Sequence, residues 1–123
     1  MKGIVAACTR DARNAWELLH RSAPLARRLE CPLVLMVTLE EGKNQSVALE
    51  YAYQCARRFD AELLAFSGEK ALGRMFAGVY ERDAYCIATL DDAALLRRMR
   101  MAFGFARTLD VSVCSAGEPV IAG

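Results

Sequence analysis

Five short apolar segments alternate along the chain with longer stretches of helical periodicity, and this alternation constrains the fold more than any other feature. Strands that are apolar on both faces are typical of a parallel sheet covered by helices on each side. Parallel neighbours need long connections, which the helical stretches supply. The sequence therefore predicts an α/β fold with a three-layer, doubly wound, parallel five-stranded sheet. The predicted strands are residues 3–8, 33–37, 62–66, 85–90 and 111–114.

Four amphipathic helices are predicted between these strands. Apolar residues recur at helical spacing in each of them, with charged residues on the remaining face. Side chains that accept hydrogen bonds from free backbone amides mark the starts of the first and last helices. The predicted helices are residues 15–29, capped by Thr9 or Asp11; 45–59; 71–82; and 95–106, capped by Asp91 or Asp92.

The length and charge of the chain restrict its organisation and its partners. At 123 residues it is predicted to form one domain, residues 1–123, because either half would be too small to bury a stable core. Sixteen basic and fifteen acidic residues give a net charge of +1, so no overall field attracts nucleic acid or an anionic membrane. We therefore expect neither partner.

Cysteine usage indicates the compartment. The five cysteines contain no C-x-x-C pair that would bind zinc or perform redox chemistry. The chain also lacks a secretory leader pattern and an apolar run of the roughly 20 residues that a membrane helix requires. We expect no disulfide, no metal and a cytoplasmic location. The cysteines are Cys8, Cys31, Cys55, Cys86 and Cys114.

A rule for open parallel sheets gives the candidate site. Ligands bind outside the carboxyl ends of the strands, where the strand order reverses. Applied to the predicted strands, this rule selects the segments 8–11, 38–44, 67–70 and 90–92. The candidate ligand-binding residues are Cys8, Thr9, Arg10, Asp11, Thr38, Ser67, Gly68, Leu90 and Asp91.

Cys8 has two interpretations. At a strand-to-helix turn, free amides and the helix dipole would favour an anion and lower the pKa of a thiol, so Cys8 could be a nucleophile supported by Thr9 and Arg10. A cysteine phosphatase would need an arginine at position 14, which is Asn14. The alternative is a small buried residue before an ordinary helix cap. Both interpretations remain open at this stage.

Other side chains that could carry chemistry have plainer structural explanations. His20 has no partner at metal-binding or catalytic spacing, and the turn 67–70 lacks the spacing of a phosphate-binding loop. Trp16 and Tyr53 are expected to pack against the sheet or to lie in a subunit contact. Arginines of the last helix favour a solvated face, Met99 and Phe103 favour the core, and Met101 and Phe105 could serve an interface. These arginines are Arg97, Arg98, Arg100 and Arg107.

Residues 61–68 (AELLAFSG), with the helix and strand that follow up to residue 90, resemble the universal-stress-protein-like domain of KdpD-type potassium-sensing histidine kinases. In that family an Ala-Glu-apolar strand ends in Ser-Gly or Pro-Gly, and an amphipathic helix leads to another apolar strand. The resemblance implies the strand order 3-2-1-4-5, a homodimer formed through the edge of the fifth strand, and a regulatory role in a stress response.

Two departures from that family bear on nucleotide binding. ATP-binding members carry an aspartate at the end of the first strand, where this chain has Cys8. They also carry G-x2-G-x9-G-[ST] after the fourth strand, where this chain has Asp91 and Asp92, and two carboxylates would repel a triphosphate. We therefore predict no ATP cofactor.

These observations favour a non-enzymatic regulatory or ligand-sensing domain with a degenerate nucleotide-binding crevice, which would take a small nucleotide or an anion. A thiol-dependent enzyme using Cys8 and a pure protein-interaction module remain the alternatives.

Overall fold

Five strands and four α-helices alternate along the described part of the chain, as the sequence predicts. A computed structural model describes residues 3–42 and 44–114; the other residues of the predicted domain 1–123 lie outside the described part. The strands are β1 Ile4–Thr9, β2 Leu33–Leu39, β3 Glu62–Ser67, β4 Ala84–Thr89 and β5 Arg107–Asp110. The helices are α1 Ala15–Leu29, α2 Gln45–Arg58, α3 Ala71–Glu81 and α4 Ala93–Ala102, with short 3-10 helices at Ala12–Asn14 and Val111–Cys114.

The sheet is parallel throughout, and its order is β3-β2-β1-β4-β5, which confirms the predicted arrangement. β1 is the central strand: Val5 pairs with Leu33 of β2 on one side and with Cys86 of β4 on the other. The chain runs outward from β1 to β3 and then crosses back to β4, so the strand order reverses between β1 and β4. An open α/β sheet forms its ligand crevice at this reversal.

Helices cover both faces of the sheet, because alternate residues of each central strand face opposite ways. Val5 and Ala7 of β1 join the core under α1 and α2. Ile4, Ala6 and Cys8 join a second core under α3 and α4. All six residues of β1 are buried, and full burial of each large apolar side chain contributes about 1.5–3 kcal/mol. These two cores hold the ends of the strands rigidly in place.

The predicted position of the fifth strand is wrong. Residues 111–114 form a 3-10 helix, and β5 is the preceding segment, Arg107–Asp110. Val111 is fully buried against the α1 side of the sheet, and the Asp110 carboxylate accepts hydrogen bonds from the Ser112 backbone N–H at 2.9 Å and hydroxyl at 2.6 Å. These bonds turn the chain away from the sheet. An edge strand that starts and ends with a charged residue carries no apolar run for a sequence pattern to detect.

The last helix is also shorter than the sequence suggests. α4 ends at Ala102 rather than at Ala106, with Phe103 as its C-cap and Gly104 following. Met99 and Phe103 are buried, as predicted, whereas Met101 and Phe105 are exposed. Trp16 packs edge-on against Phe59 instead of against the sheet. Tyr53 is likewise largely exposed, and His20 lies on the surface of α1.

Candidate ligand-binding groove

A groove of about 1030 Å³ opens at the carboxyl ends of β1 and β2. The turn after β1, the loop after β2 and the first two turns of α2 form its walls. Three of the predicted residues line it, namely Arg10, Asp11 and Thr38. The groove is large enough for a small organic ligand, since such sites usually measure about 300–1,000 Å³.

The turn that begins the groove is held by Thr9 and Asp11. The Thr9 hydroxyl accepts a hydrogen bond from the Asp11 N–H at 3.0 Å and donates to the Asp11 carbonyl at 3.0 Å. The Asp11 carboxylate accepts from the Arg13 N–H at 3.0 Å and so caps the next helical turn. The Arg13 side chain, bonded to the same carboxylate, lowers the pKa of Asp11. Thr9 is buried, so its role is to shape the turn.

Cys8 does not reach the groove. Its side chain is fully buried in the core under α3 and α4. Burial raises the pKa of the Cys8 thiol to about 12. The expectation of a lowered pKa is therefore wrong, because the cost of removing the thiolate from water outweighs any attraction from the adjacent turn. The second interpretation, a small buried residue before a helix cap, agrees with this geometry.

Arg10 and Asp92 meet at the point where the strand order reverses. Two hydrogen bonds join them, from Arg10 Nε to Asp92 Oδ2 at 2.8 Å and from Arg10 Nη2 to Asp92 Oδ1 at 2.6 Å. Asp92 Oδ1 also accepts from the Leu95 N–H at 3.1 Å and caps α4. The hydrogen bond from Arg10 is the main cause that lowers the pKa of Asp92. A carboxylate of the chain itself thus occupies the amino end of α4.

Asp110 organises the turn between β4 and α4. The Asp91 N–H donates to Asp110 Oδ1 at 3.3 Å, and Asp91 has a φ of 51°, a conformation that glycine adopts most readily. Burial alone would raise the pKa of Asp110, but hydrogen bonds from Ser112 and Asp91 lower it on balance. Leu90 is buried in the core beside α1. Leu90 and Asp91 therefore lie on the β4 side of the Arg10 and Asp92 pair and do not line the groove.

Ser67 and Gly68 lie one strand further out. Ser67 pairs with Leu39 at the ends of β3 and β2. A Cβ added to Gly68 would lie 3.8 Å from a Glu41 carboxylate oxygen, so this turn adjoins the groove without lining it. Lys43, inside the predicted segment 38–44, lies outside the described residues.

The described part of the groove lining is slightly acidic. Its described lining residues include two arginines, Arg10 and Arg13, and three carboxylates, Asp11, Glu40 and Glu41. The arginines are paired with Asp92 and Asp11. Glu40 and Glu41 are exposed and form no ion pair with a described residue. The described lining by itself disfavours a polyphosphate relative to a neutral or cationic ligand.

Sequence reasoning missed the wall that α2 contributes. Val47 and Tyr51 line the groove and are 66% and 42% exposed. Only Ala52, Cys55 and Ala56 are fully buried on α2. Val47 and Tyr51 are four residues apart and therefore lie on one face of the helix. The sequence of α2 has more large apolar residues than one buried helix face needs, and this excess could have indicated the wall.

The described residues contain no group of three or more histidine, cysteine, aspartate or glutamate side chains placed to hold a metal ion. Within the same residues, no helix combines the length and apolar character that crossing a membrane requires.

Among solved structures, the fold is similar to the crystal structure of a protein from the universal stress protein family from Burkholderia pseudomallei. The two superpose with a TM-score of 0.55 and 14% sequence identity, over 88% of this chain and 94% of that chain. No family model and no curated protein matches the sequence. At this identity the likeness establishes the fold alone. The chain has a universal-stress-protein-like α/β fold, and nothing here supports the KdpD type in particular.

Proposed function

We propose that this domain is a non-catalytic, regulatory ligand-sensing module whose groove binds an uncharged or cationic small molecule rather than a nucleotide triphosphate. The observation that carries the proposal is the Arg10 and Asp92 pair. A helix amino end normally attracts an anion because its free N–H groups and dipole are positive. In this chain the Asp92 carboxylate already accepts hydrogen bonds from the amino end of α4 and from Arg10.

The lining of the groove supports the same ligand class. The exposed carboxylates of Glu40 and Glu41 can accept hydrogen bonds from ligand amino or hydroxyl groups. The Tyr51 ring and the Val47 side chain offer apolar surface on the opposite wall. A nucleoside combines these properties, since it has a flat ring and several hydroxyl groups without a phosphate.

Adenosine is expected to bind more tightly than AMP, and AMP more tightly than ATP, because each added phosphate increases repulsion from the groove. Isothermal titration calorimetry and thermal shift measure this order. In the variant E40Q/E41Q the ratio of adenosine affinity to ATP affinity should fall by several-fold. The net charge of the described lining changes there from −1 to +1. Tighter binding of ATP than of adenosine, or no saturable binding of any of the three, would contradict the proposal.

We also propose that the domain forms a homodimer through the β5 edge. Within the described residues β5 pairs only with β4, which leaves its outer edge free to pair with another strand. Met101 and Phe105 shortly precede β5 in the sequence and are 86% and 70% exposed. Exposed apolar side chains next to an open strand edge are typical of a surface that another chain covers.

Light scattering after size-exclusion chromatography is expected to give the mass of a dimer for the parent chain. The variant M101E/F105E should give a monomer, because charged carboxylates would be buried at the contact. Y80E is the matched control: Tyr80 is also 70% exposed but lies on α3. A monomeric parent chain, or the same mass in the parent and in M101E/F105E, would refute the homodimer.

The cysteines support a reducing compartment such as the cytoplasm, which we propose as the location. Cys8, Cys31, Cys55 and Cys86 are all free thiols in the structure. All four are buried, and free thiols persist where glutathione and thioredoxin keep cysteines reduced.

A further inference from the structure

A second pocket, of about 430 Å³, lies between α1 and the C-terminal half of α2. Trp16 comes from α1, and α2 supplies the rest of the lining: Tyr51, Gln54, Cys55, Arg57 and Arg58. Tyr51 also lines the groove at the strand ends, so its side chain is a wall of both sites. The other five residues belong to the second pocket alone.

Among residues 3–42 and 44–114, the cations of this pocket have no carboxylate partner. Neither Arg57 nor Arg58 forms an ion pair with a described residue. The only carboxylates within α1 and α2 are Glu17 and Glu50, which are bonded to Arg21 and Gln54. Two guanidinium groups therefore lie at the rim with their charge uncompensated by these helices.

Aromatic rings hold both guanidinium groups. Arg58 Cζ lies 5.7 Å from the centre of the Trp16 ring, and Arg57 Cζ lies 5.9 Å from the centre of the Tyr53 ring. A guanidinium stacked on a ring keeps its in-plane N–H donors available, and two such donors match the geometry of a carboxylate. Both arginines line the pocket and are exposed, so each offers donors to an anion there.

The remaining walls are apolar and aromatic. The Trp16 ring is 40% exposed and is fixed by an edge-on contact with Phe59, with ring centres 4.9 Å apart. Tyr51 is 42% exposed. Rigid, half-exposed rings provide contact area for another flat ring at little cost in conformational entropy.

We propose that this pocket is a second ligand site, which binds a small aromatic carboxylate: the ring contacts Trp16 and Tyr51 while the carboxylate pairs with Arg57 and Arg58. The site differs from the proposed nucleoside groove in position and in the sign of its charge. Its ligand is an anion, whereas the groove disfavours anions.

Benzoate is the probe, and Trp16 reports its binding directly because it is the only tryptophan in the chain. We expect a saturable change in tryptophan fluorescence, with the dissociation constant confirmed by calorimetry. The variant R57Q/R58Q should weaken binding by about tenfold or more, since charge-assisted hydrogen bonds are lost. Benzamide, which has the ring without the charge, and acetate, which has the charge without the ring, should both bind more weakly.

R27Q/R28Q is the matched control, because Arg27 and Arg28 occupy the last turn of α1 as Arg57 and Arg58 occupy that of α2. All four side chains are exposed, and circular dichroism checks that each variant is folded. The single variant R57Q should also weaken benzoate binding, by a smaller factor than the double variant. The inference fails if benzoate shows no saturable response, if benzamide binds as tightly as benzoate, or if both double variants lose equal affinity.

Discussion

Cys8 in the native protein is expected to react with iodoacetamide at least about 10³-fold more slowly than in the unfolded chain, because alkylation would require the fold to open. The side chain is fully buried, and burial raises the pKa of its thiol to about 12. Since only the thiolate is nucleophilic, both effects slow the reaction. Mass spectrometry of the tryptic peptide that covers residues 3–10 follows the labelling with time.

Cys31 is the internal control for this experiment. It is 8% exposed, so it should become labelled before Cys8 under native conditions. Addition of urea should bring the two rates together, which separates protection by the fold from any intrinsic difference in reactivity. Rapid labelling of native Cys8 at neutral pH would favour the thiol-dependent enzyme instead.

The parallel, helix-covered sheet was predictable because its central strands are apolar on both faces, whereas the strand order followed only from the family resemblance. β1 and β2 are buried at nearly every position, and an apolar run in the sequence reports such burial directly. β5 was placed wrongly because an edge strand has no such requirement: its residues are exposed or half-buried. Val111 continues an apolar pattern beyond the strand, but its side chain packs toward α1.

The lining of the candidate groove was predictable only where it depends on topology. The carboxyl ends of neighbouring parallel strands meet at one edge, so Arg10, Asp11 and Thr38 were found. The pairing of Arg10 with Asp92 was not predicted, because the two lie 82 residues apart and meet only when β1 and β4 become neighbours. The direction of the Cys8 side chain also depends on tertiary structure, since a strand buried on both faces gives no sign of which core each residue enters.

Replacing Asp92 with alanine is expected to lower the free energy of unfolding by about 2 kcal/mol, through loss of a helix cap and of a partly exposed bidentate ion pair. D92N separates these contributions: asparagine still caps α4 but cannot form the ion pair, so the loss should be about 1 kcal/mol or less. D91N is the matched control, because Asp91 is exposed and asparagine tolerates its positive φ. Urea denaturation at neutral pH measures all three.

Two further properties of the Asp92 variants, the pH dependence of their stability and their affinity for anions, link the Arg10 and Asp92 pair to the proposed function. Arg10 holds the pKa of Asp92 below its usual value, so the stability from the pair is complete above about pH 4 and is lost as the pH falls through the lowered value. D92A should therefore lose less stability than the parent on acidification. If Asp92 occupies the place of a bound phosphate, D92A should also bind AMP more tightly than the parent, because Arg10 and the amino end of α4 become free. Unchanged AMP binding in a folded D92A would show that the Asp92 carboxylate is only a structural cap.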